Sequence, residues 1–295
     1  MKLRTPLISS VYRVMDYFRG VEYFSGPKPS LNEARSYLQN FTGGKIICEK
    51  DNHGIAKVCI NHEGKKNAIS GSMMIDLEKI VDDLENWNEG KGILLYGANG
   101  IFCSGGDLNF AREANKPELG FCMSVLMTNV LRRFSNLPII SVAYLDGAGA
   151  IGGGAELITA CDFRLMSDSN SDTRIGFVHC KMGIVPAWGG AARLVSIVGK
   201  TSALDLLLTG KLSDSDEASR LGLINGVVRN LDEAYNWIFE KTKHDTKVVR
   251  AAKACISNAS PLTDETVEVE SRIFAPLWGG PANNIALRRN IKHKT

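Results

Sequence analysis

Two glycine clusters, Phe102-Cys103-Ser104-Gly105-Gly106-Asp107-Leu108 and Ile151-Gly152-Gly153-Gly154-Ala155-Glu156, each follow an apolar run of strand length, at 92–96 and 138–145. Glycine lets the chain turn where a side chain cannot, and lets a backbone N–H approach a ligand oxygen that a Cβ would hold away. Two such amides converging on one carbonyl make an oxyanion hole.

The rest of the pattern is α/β. Residues 46–48 and 55–60 read as paired strands. Ser70 is placed to cap a helix reaching residue 87, whose Met74, Leu77, Ile80, Val81 and Leu84 recur at helical spacing. Strand, glycine loop and helix then repeat: a helix over 120–134, a strand over 139–145, a helix opening at the triple glycine, and short strands at 162–166 and 175–178. After Trp188 helices dominate, with one apolar strand-like stretch at 223–228. This predicts an α/β core with a helical C-terminal part.

The 295 residues suffice for one large catalytic unit with an N-terminal extension, and a net charge of +3 with 23% charged residues does not point to nucleic acid. The seven cysteines are odd in number and form no C-x-x-C pair, which favours neither a disulfide framework nor a zinc site and fits a reducing compartment, the cytosol. Arg4, Arg13 and Arg19 punctuate an aromatic stretch like that of a mitochondrial presequence, but Asp16 and Glu22 oppose that reading. The most apolar region, 137–161, is broken by Asp146, Glu156 and glycines, so it reads as a buried strand, turn and helix rather than a membrane span.

Gly147, Gly149 and Gly152 satisfy the dinucleotide spacing G-x-G-x-x-G after a strand, with Asp168 where a ribose-binding acid would lie. The motif sits mid-chain without a preceding half-domain, which leaves nicotinamide or flavin binding as a runner-up. Gly199-Lys200-Thr201 fails as a phosphate loop because its partner position is Leu194, and His62-Glu63 lacks a zinc helix's second histidine.

Lys66-Asn67-Ala68-Ile69, the two glycine clusters, Ala160-Cys161-Asp162-Phe163-Arg164 and Gly183-Ile184-Val185-Pro186-Ala187-Trp188-Gly189-Gly190 occur in an order that resembles the crotonase (enoyl-CoA hydratase/isomerase) superfamily, from about residue 45 onward. The resemblance implies a spiral of ββα units, with an extension over 1–44, an α/β core over 45–230 and a helical trimerisation region over 231–295. It also implies a homotrimer or hexamer acting on an acyl-CoA thioester, CoA being part of the substrate and no separate cofactor, metal, nucleic acid or membrane being involved. By position, the amides of Gly106 and Gly153 correspond to the oxyanion hole. Lys66, Ala68, Ile69, Ser104, Gly105 and Leu108 correspond to the CoA-binding segments, with Lys65 beside them and Arg288, Arg289 and Lys292 reaching a neighbouring subunit.

Hydratases of this superfamily carry a glutamate at each of two further positions; here these are Glu156 and His179. That difference, with Phe177-Val178-His179 and Trp278-Gly279-Gly280-Pro281-Ala282-Asn283, resembles members that decarboxylate malonyl-type thioesters such as ethylmalonyl-CoA or methylmalonyl-CoA, removing by-products of acyl-CoA carboxylation. Loss of CO2 leaves the enolate without a base, and an apolar wall of Phe177, Met182 and Trp188 would favour it. His179 would orient the carboxylate or protonate the enolate. Glu156, if ionised beside that carboxylate, would repel it, and is expected to be protonated, paired or turned away. The run 147–152 is one residue longer than the superfamily leads one to expect and has Ala148-Gly149 where relatives often carry an aromatic. The alternatives are a hydratase or isomerase of the same fold, or a non-catalytic CoA- or RNA-binding relative.

Overall fold

A computed structural model describes residues 25–114, 116–169 and 172–257, together with Val269, Phe274 and Ile285. The arginines at 4, 13 and 19, the 278–283 motif and Arg288, Arg289 and Lys292 lie outside the described residues. The first described helix, α1 (Leu31–Leu38), opens on a reciprocal cap between Ser30 and Glu33, and buries Ala34 and Leu38 in the main core.

Strands β1 (Lys45–Lys50) and β2 (Ile55–Asn61) form an antiparallel pair, and helix α2 (Gly71–Glu85) follows with Ser70 accepting from the Met73 N–H. Its recurring apolar residues are buried, each stabilising by roughly 1.5–3 kcal/mol. Next come β3 (Gly92–Gly97), α3 (Leu108–Glu113), α4 (Pro117–Asn136) and β4 (Ile140–Leu145). They are followed by β5 (Ala150–Ile151), α5 (Gly153–Thr159), β6 (Phe163–Ser167), β7 (Ile175–Gly176), a 3-10 turn over Val178–Met182, and α6 (Gly190–Thr209). The described chain closes with β8 (Leu212–Ser213), α7 (Ser215–Arg220), β9 (Gly226–Val228), α8 (Leu231–Lys241) and α9 (Thr246–Ser257).

Six strands pair in the order β1-β2-β3-β4-β6-β9, parallel after the first pair. Side chains alternate across this sheet. Ile93, Leu95, Ala143 and Leu145 enter the main core, whereas Leu94, Val142, Tyr144 and Leu165 enter a second core with Ala234 and Ile238 of α8. Both faces are thus covered, which is why the parallel strands read as unbroken apolar runs.

A second, shorter stack runs alongside. It comprises β5, β7 and β8, extended by single bridges from Ile69 to Gly106 and from Cys103 to Ala150. Each sequence passage therefore takes one long strand in the first sheet, one short strand in the second stack, and then a helix: β2, Ile69, α2; β3, 103–106, α3; β4, β5, α5; β6, β7, α6. This is the expected spiral of ββα units. The short stack gathers both glycine clusters at neighbouring positions.

The long 147–152 run is a structural necessity of that stack. Gly149, at φ +76°, would place a Cβ 1.9 Å from the Arg174 carbonyl oxygen, and Gly147, at φ +58°, would place one 2.2 Å from that of Gly100. Strand β5 then intervenes before the helix, so these glycines serve turn and strand pairing rather than a strand-to-helix dinucleotide loop. An aromatic at 149 has no room. We expect Gly149→Ala to destabilise the fold by more than the roughly 1–2 kcal/mol of left-handed strain alone, whereas Gly64→Ala, at φ +73° with nothing within 4 Å of its Cβ, carries only that strain. Urea unfolding of the two variants checks the difference.

Candidate active site

The segment 102–107 is threaded between two neighbours. The N–H of Ile69 donates to the Gly105 carbonyl at 2.8 Å and that of Asp107 donates to the Ile69 carbonyl at 2.9 Å. In this parallel bridge the flanking groups bond Ile69, so the N–H of Gly106 itself points the other way. On the far side, Cys103 exchanges bonds with Gly149 and Ile151 at 3.1 and 3.0 Å. A Cβ on Gly105, at φ +108°, would lie 3.3 Å from the Gly153 nitrogen, which brings the two glycine clusters side by side. Gly152 (φ 55°, ψ −119°) stands at the N-cap of α5 with no side-chain cap, so the first N–H groups of the helix have no capping acceptor. The amides of Gly106 and Gly153 thus lie on adjacent segments.

Two glycines of the second cluster are required by close packing. A Cβ at Gly153 would come within 2.6 Å of the Trp188 indole, and one at Gly154 within 2.4 Å of the Cys103 carbonyl. Burial pushes the thiols of Cys103 and Cys161 up to about 12, so both are neutral packing groups and not nucleophiles.

Segment 62–69 is latched from beneath by Asn67, which sequence reading left without a role. Lys66 and Asn67 both take left-handed backbone, at φ 48° and 56°. The buried Asn67 amide accepts from the His62 N–H at 2.9 Å and donates to the carbonyls of Ala98 at 3.0 Å and Ile101 at 2.5 Å. The Ser104 N–H donates to the Lys66 carbonyl and its hydroxyl to that of Lys65. Lys66, Ala68, Ile69, Ser104 and Gly105 are therefore brought together on two laced segments. Leu108 begins α3 beside them, 53% exposed, and Lys65 Nζ lies 3.9 Å from Asp107. The left-handed pair and the asparagine have no local signal beyond the Asn67 side chain itself.

Glu156 and His179 meet. Glu156 lies in the first turn of α5, 2% exposed, and its Oε1 is 3.1 Å from His179 Nε2. Oε1 also accepts from the Ala187 N–H at 3.2 Å, while Oε2 accepts from those of Trp188 at 2.8 Å and Gly190 at 3.0 Å. Of the three expected states, protonated, paired or turned away, the geometry is that of a paired Glu156, with three peptide N–H donors and the His179 imidazole around it. His179 sits in the 3-10 turn that follows β7, where β7 pairs with β5, so the fold brings the imidazole back to α5. Arg193, on α6, braces the same loop by donating to Thr159 Oγ1 and to the carbonyls of Glu156 and Trp188. Burial lowers the Arg193 guanidinium from its ordinary value, and the Glu156 charge partly offsets this. Of the three apolar groups expected to wall the site, Phe177 and Trp188 are buried, whereas Met182 is 58% exposed.

The sequence pattern of the Enoyl-CoA hydratase/isomerase family matches residues 50–277. Among curated relatives, an ethylmalonyl-CoA decarboxylase of Xenopus laevis is 45% identical over 272 residues, covering 90% of each chain. Those of Rattus norvegicus and Danio rerio are 43% and 44% identical over 268 and 296 residues, covering 88% of this chain and 88% of the relative in the first case, and 97% and 95% in the second. Among solved structures, an enoyl-CoA hydratase from Bacillus anthracis superposes with a TM-score of 0.75 at 26% identity, covering 82% of this chain and 94% of the other. One from Thermoplasma volcanium gives 0.74 at 26%, covering 84% and 97%. With the ββα spiral and both glycine clusters in register, the chain belongs to the enoyl-CoA hydratase/isomerase family.

Proposed function

We propose that this chain is a carboxy-lyase that decarboxylates ethylmalonyl-CoA, with methylmalonyl-CoA as a related substrate, as the names of its relatives at 43–45% identity indicate. The observation that carries the reading is the pairing of Glu156 with an imidazole. Hydration needs one group to take a proton from water and another to protonate the α-carbon, and a carboxylate already bonded by three peptide N–H groups and facing an imidazole is poorly suited to the first task.

In this reading the Gly106 and Gly153 amides hold the thioester oxygen. The bond from the α-carbon to the carboxylate breaks, CO2 leaves neutral, and the electron pair becomes an enolate whose charge rests on that oxygen. Trp188, packed over Gly153, keeps water from the reacting face. His179 then delivers a proton to the α-carbon. Lys66, Ala68, Ile69, Ser104, Gly105 and Leu108 line the path of CoA, Lys65 and Lys66 facing its phosphates. The thioester itself is the electron sink, so this chemistry asks for no further cofactor. The cytosol is the proposed compartment; among the described residues no helix is long and apolar enough to cross a membrane.

Assembly as a homotrimer or a dimer of trimers belongs to the same proposal. Exposed apolar side chains on and after α6, Leu204, Leu208 and Leu212, and the exposed Ile184 and Val185 next to the site support it. Light scattering is expected to give a mass that is a multiple of three chains; a monomer or dimer would refute it.

Purified protein is expected to release CO2 from ethylmalonyl-CoA and to leave crotonyl-CoA unhydrated; the reverse pattern would overturn the assignment. Gly106 gives the cleanest test of the oxyanion hole, because a Cβ there meets nothing within 4 Å, whereas one at Gly153 collides with Trp188. Gly106→Ala keeps the N–H and is expected to retain kcat within about tenfold, while Gly106→Pro removes it and is expected to lower kcat by about 100- to 1,000-fold. Equal kcat in two folded variants would remove Gly106 from the mechanism.

A further inference from the structure

We infer that Glu156 is a positioning residue: it fixes the tautomer and orientation of His179 and does not itself carry a proton in the reaction. What the presented imidazole atom then does rests on the decarboxylase reading above; the tautomer does not.

A carboxylate offers about four lone-pair sites to hydrogen-bond donors. In Glu156 all four are taken, two on Oε1 by His179 Nε2 and the Ala187 N–H, and two on Oε2 by the N–H groups of Trp188 and Gly190. Three of these donors are peptide N–H groups, which cannot turn round and accept. A hydrogen on Glu156, whose side chain is 2% exposed, would find an acceptor only at His179 Nε2; we assign that hydrogen to the imidazole, which leaves the carboxylate as the acceptor of all four bonds. A proton taken up on Oε2 would displace the Trp188 or the Gly190 N–H in a buried site, where an unmade bond is costly. The geometry is that of a fixed acceptor.

His179 is consequently held in one tautomer. Opposite a carboxylate that three peptide N–H groups already use as an acceptor, the facing ring atom is the donor, so Nε2 carries the hydrogen. Nδ1 is buried and has no hydrogen-bond partner among the described residues. A buried nitrogen left unpaired is costly unless a ligand or solvent completes it. The pair thus presents one atom of unmet capacity: a lone pair when the ring is neutral, an N–H when it is an imidazolium whose counter-charge Glu156 already supplies. After CO2 leaves, that Nδ1–H passes to the α-carbon of the enolate, His179 becomes neutral, and solvent returns a proton once product has gone.

The surrounding charges do not disturb this assignment. Arg193 from α6 spends its guanidinium on Thr159 and on the carbonyls of Glu156 and Trp188, and Lys181 in the same 3-10 turn is tied to the Gly210 carbonyl at 2.8 Å. From α4, Ser124 and Thr128 contribute neutral hydroxyls, both donated to the Ala187 carbonyl. These bonds hold the loop that holds Glu156.

The test has two readouts. In the wild-type protein labelled with 15N-histidine, long-range proton–nitrogen correlation, assigned by loss of signals in His179→Gln, is expected to show neutral His179 protonated on Nε2; a ring protonated on Nδ1 would overturn the inference. This holds even if Glu156→Gln does not fold, and even if ethylmalonyl-CoA proves not to be the substrate. Turnover of Glu156→Gln, His179→Ala and the double variant supplies the second readout. If Glu156 acts through His179, adding Glu156→Gln to His179→Ala costs no more than about threefold in kcat, and Glu156→Gln alone loses stereospecific protonation of the product. Multiplying losses, or a Glu156→Gln enzyme that still protonates one face, would show Glu156 acting independently of His179.

Discussion

The Glu156 carboxylate binds together three pieces of chain: the first turn of α5, the 3-10 turn bearing His179, and the loop 187–190. Its four acceptor sites are filled from the last two, and it rises from the same helical turn whose first residue is Gly153. The spacing between the Gly153 amide and the His179 imidazole is thereby set by one short helix. Removing the carboxylate would strand three peptide N–H groups and an imidazole in a buried place, whereas a buried charge with its donors in place is held in one arrangement. Arg193 closes the assembly from outside, and Gly190 leaves room for it: a Cβ there would lie 2.5 Å from Glu156 Cγ.

Around this centre, glycine serves several distinct purposes. Gly147 and Gly149 make the turn into the short stack, Gly152 takes a backbone conformation that lets α5 start, Gly153 admits the Trp188 ring, and Gly154 admits the Cys103 carbonyl. Gly106 differs from these, since no neighbour forbids a side chain there. What the Gly106 position offers is an N–H that its own bridge partner, Ile69, leaves unused. A position that packing does not require to be glycine, beside others that packing does, is where a functional constraint is most easily separated from a structural one.

Periodicity, caps and apolar runs were enough to read the strands of the main sheet, the helix begun at Ser70, the helix opened by the triple glycine, and the family, because each rests on residues adjacent in sequence. The short stack was less legible. Its strands are two residues long and are defined by partners such as Ile69 and Arg174 that lie far off in the chain. Glu156 illustrates the limit most sharply. Its charge posed a difficulty in the sequence because its partners are main-chain N–H groups of residues 187–190, which no side-chain pattern announces. The partners of Asn67 and most of those of Arg193 are likewise main-chain groups, and Met182, expected in an apolar wall, is exposed at the end of the 3-10 turn, next to a left-handed Gly183.

The central claim is that loss of CO2 generates an enolate that one fixed group then protonates from one side. Turnover of ethylmalonyl-CoA in D2O, with the butyryl-CoA product analysed by NMR, tests it directly. The account predicts one deuterium at the α-carbon for each CO2 released, on a single face. Product deuterated equally on both faces, or ethylmalonyl-CoA recovered with no CO2 released, would contradict it.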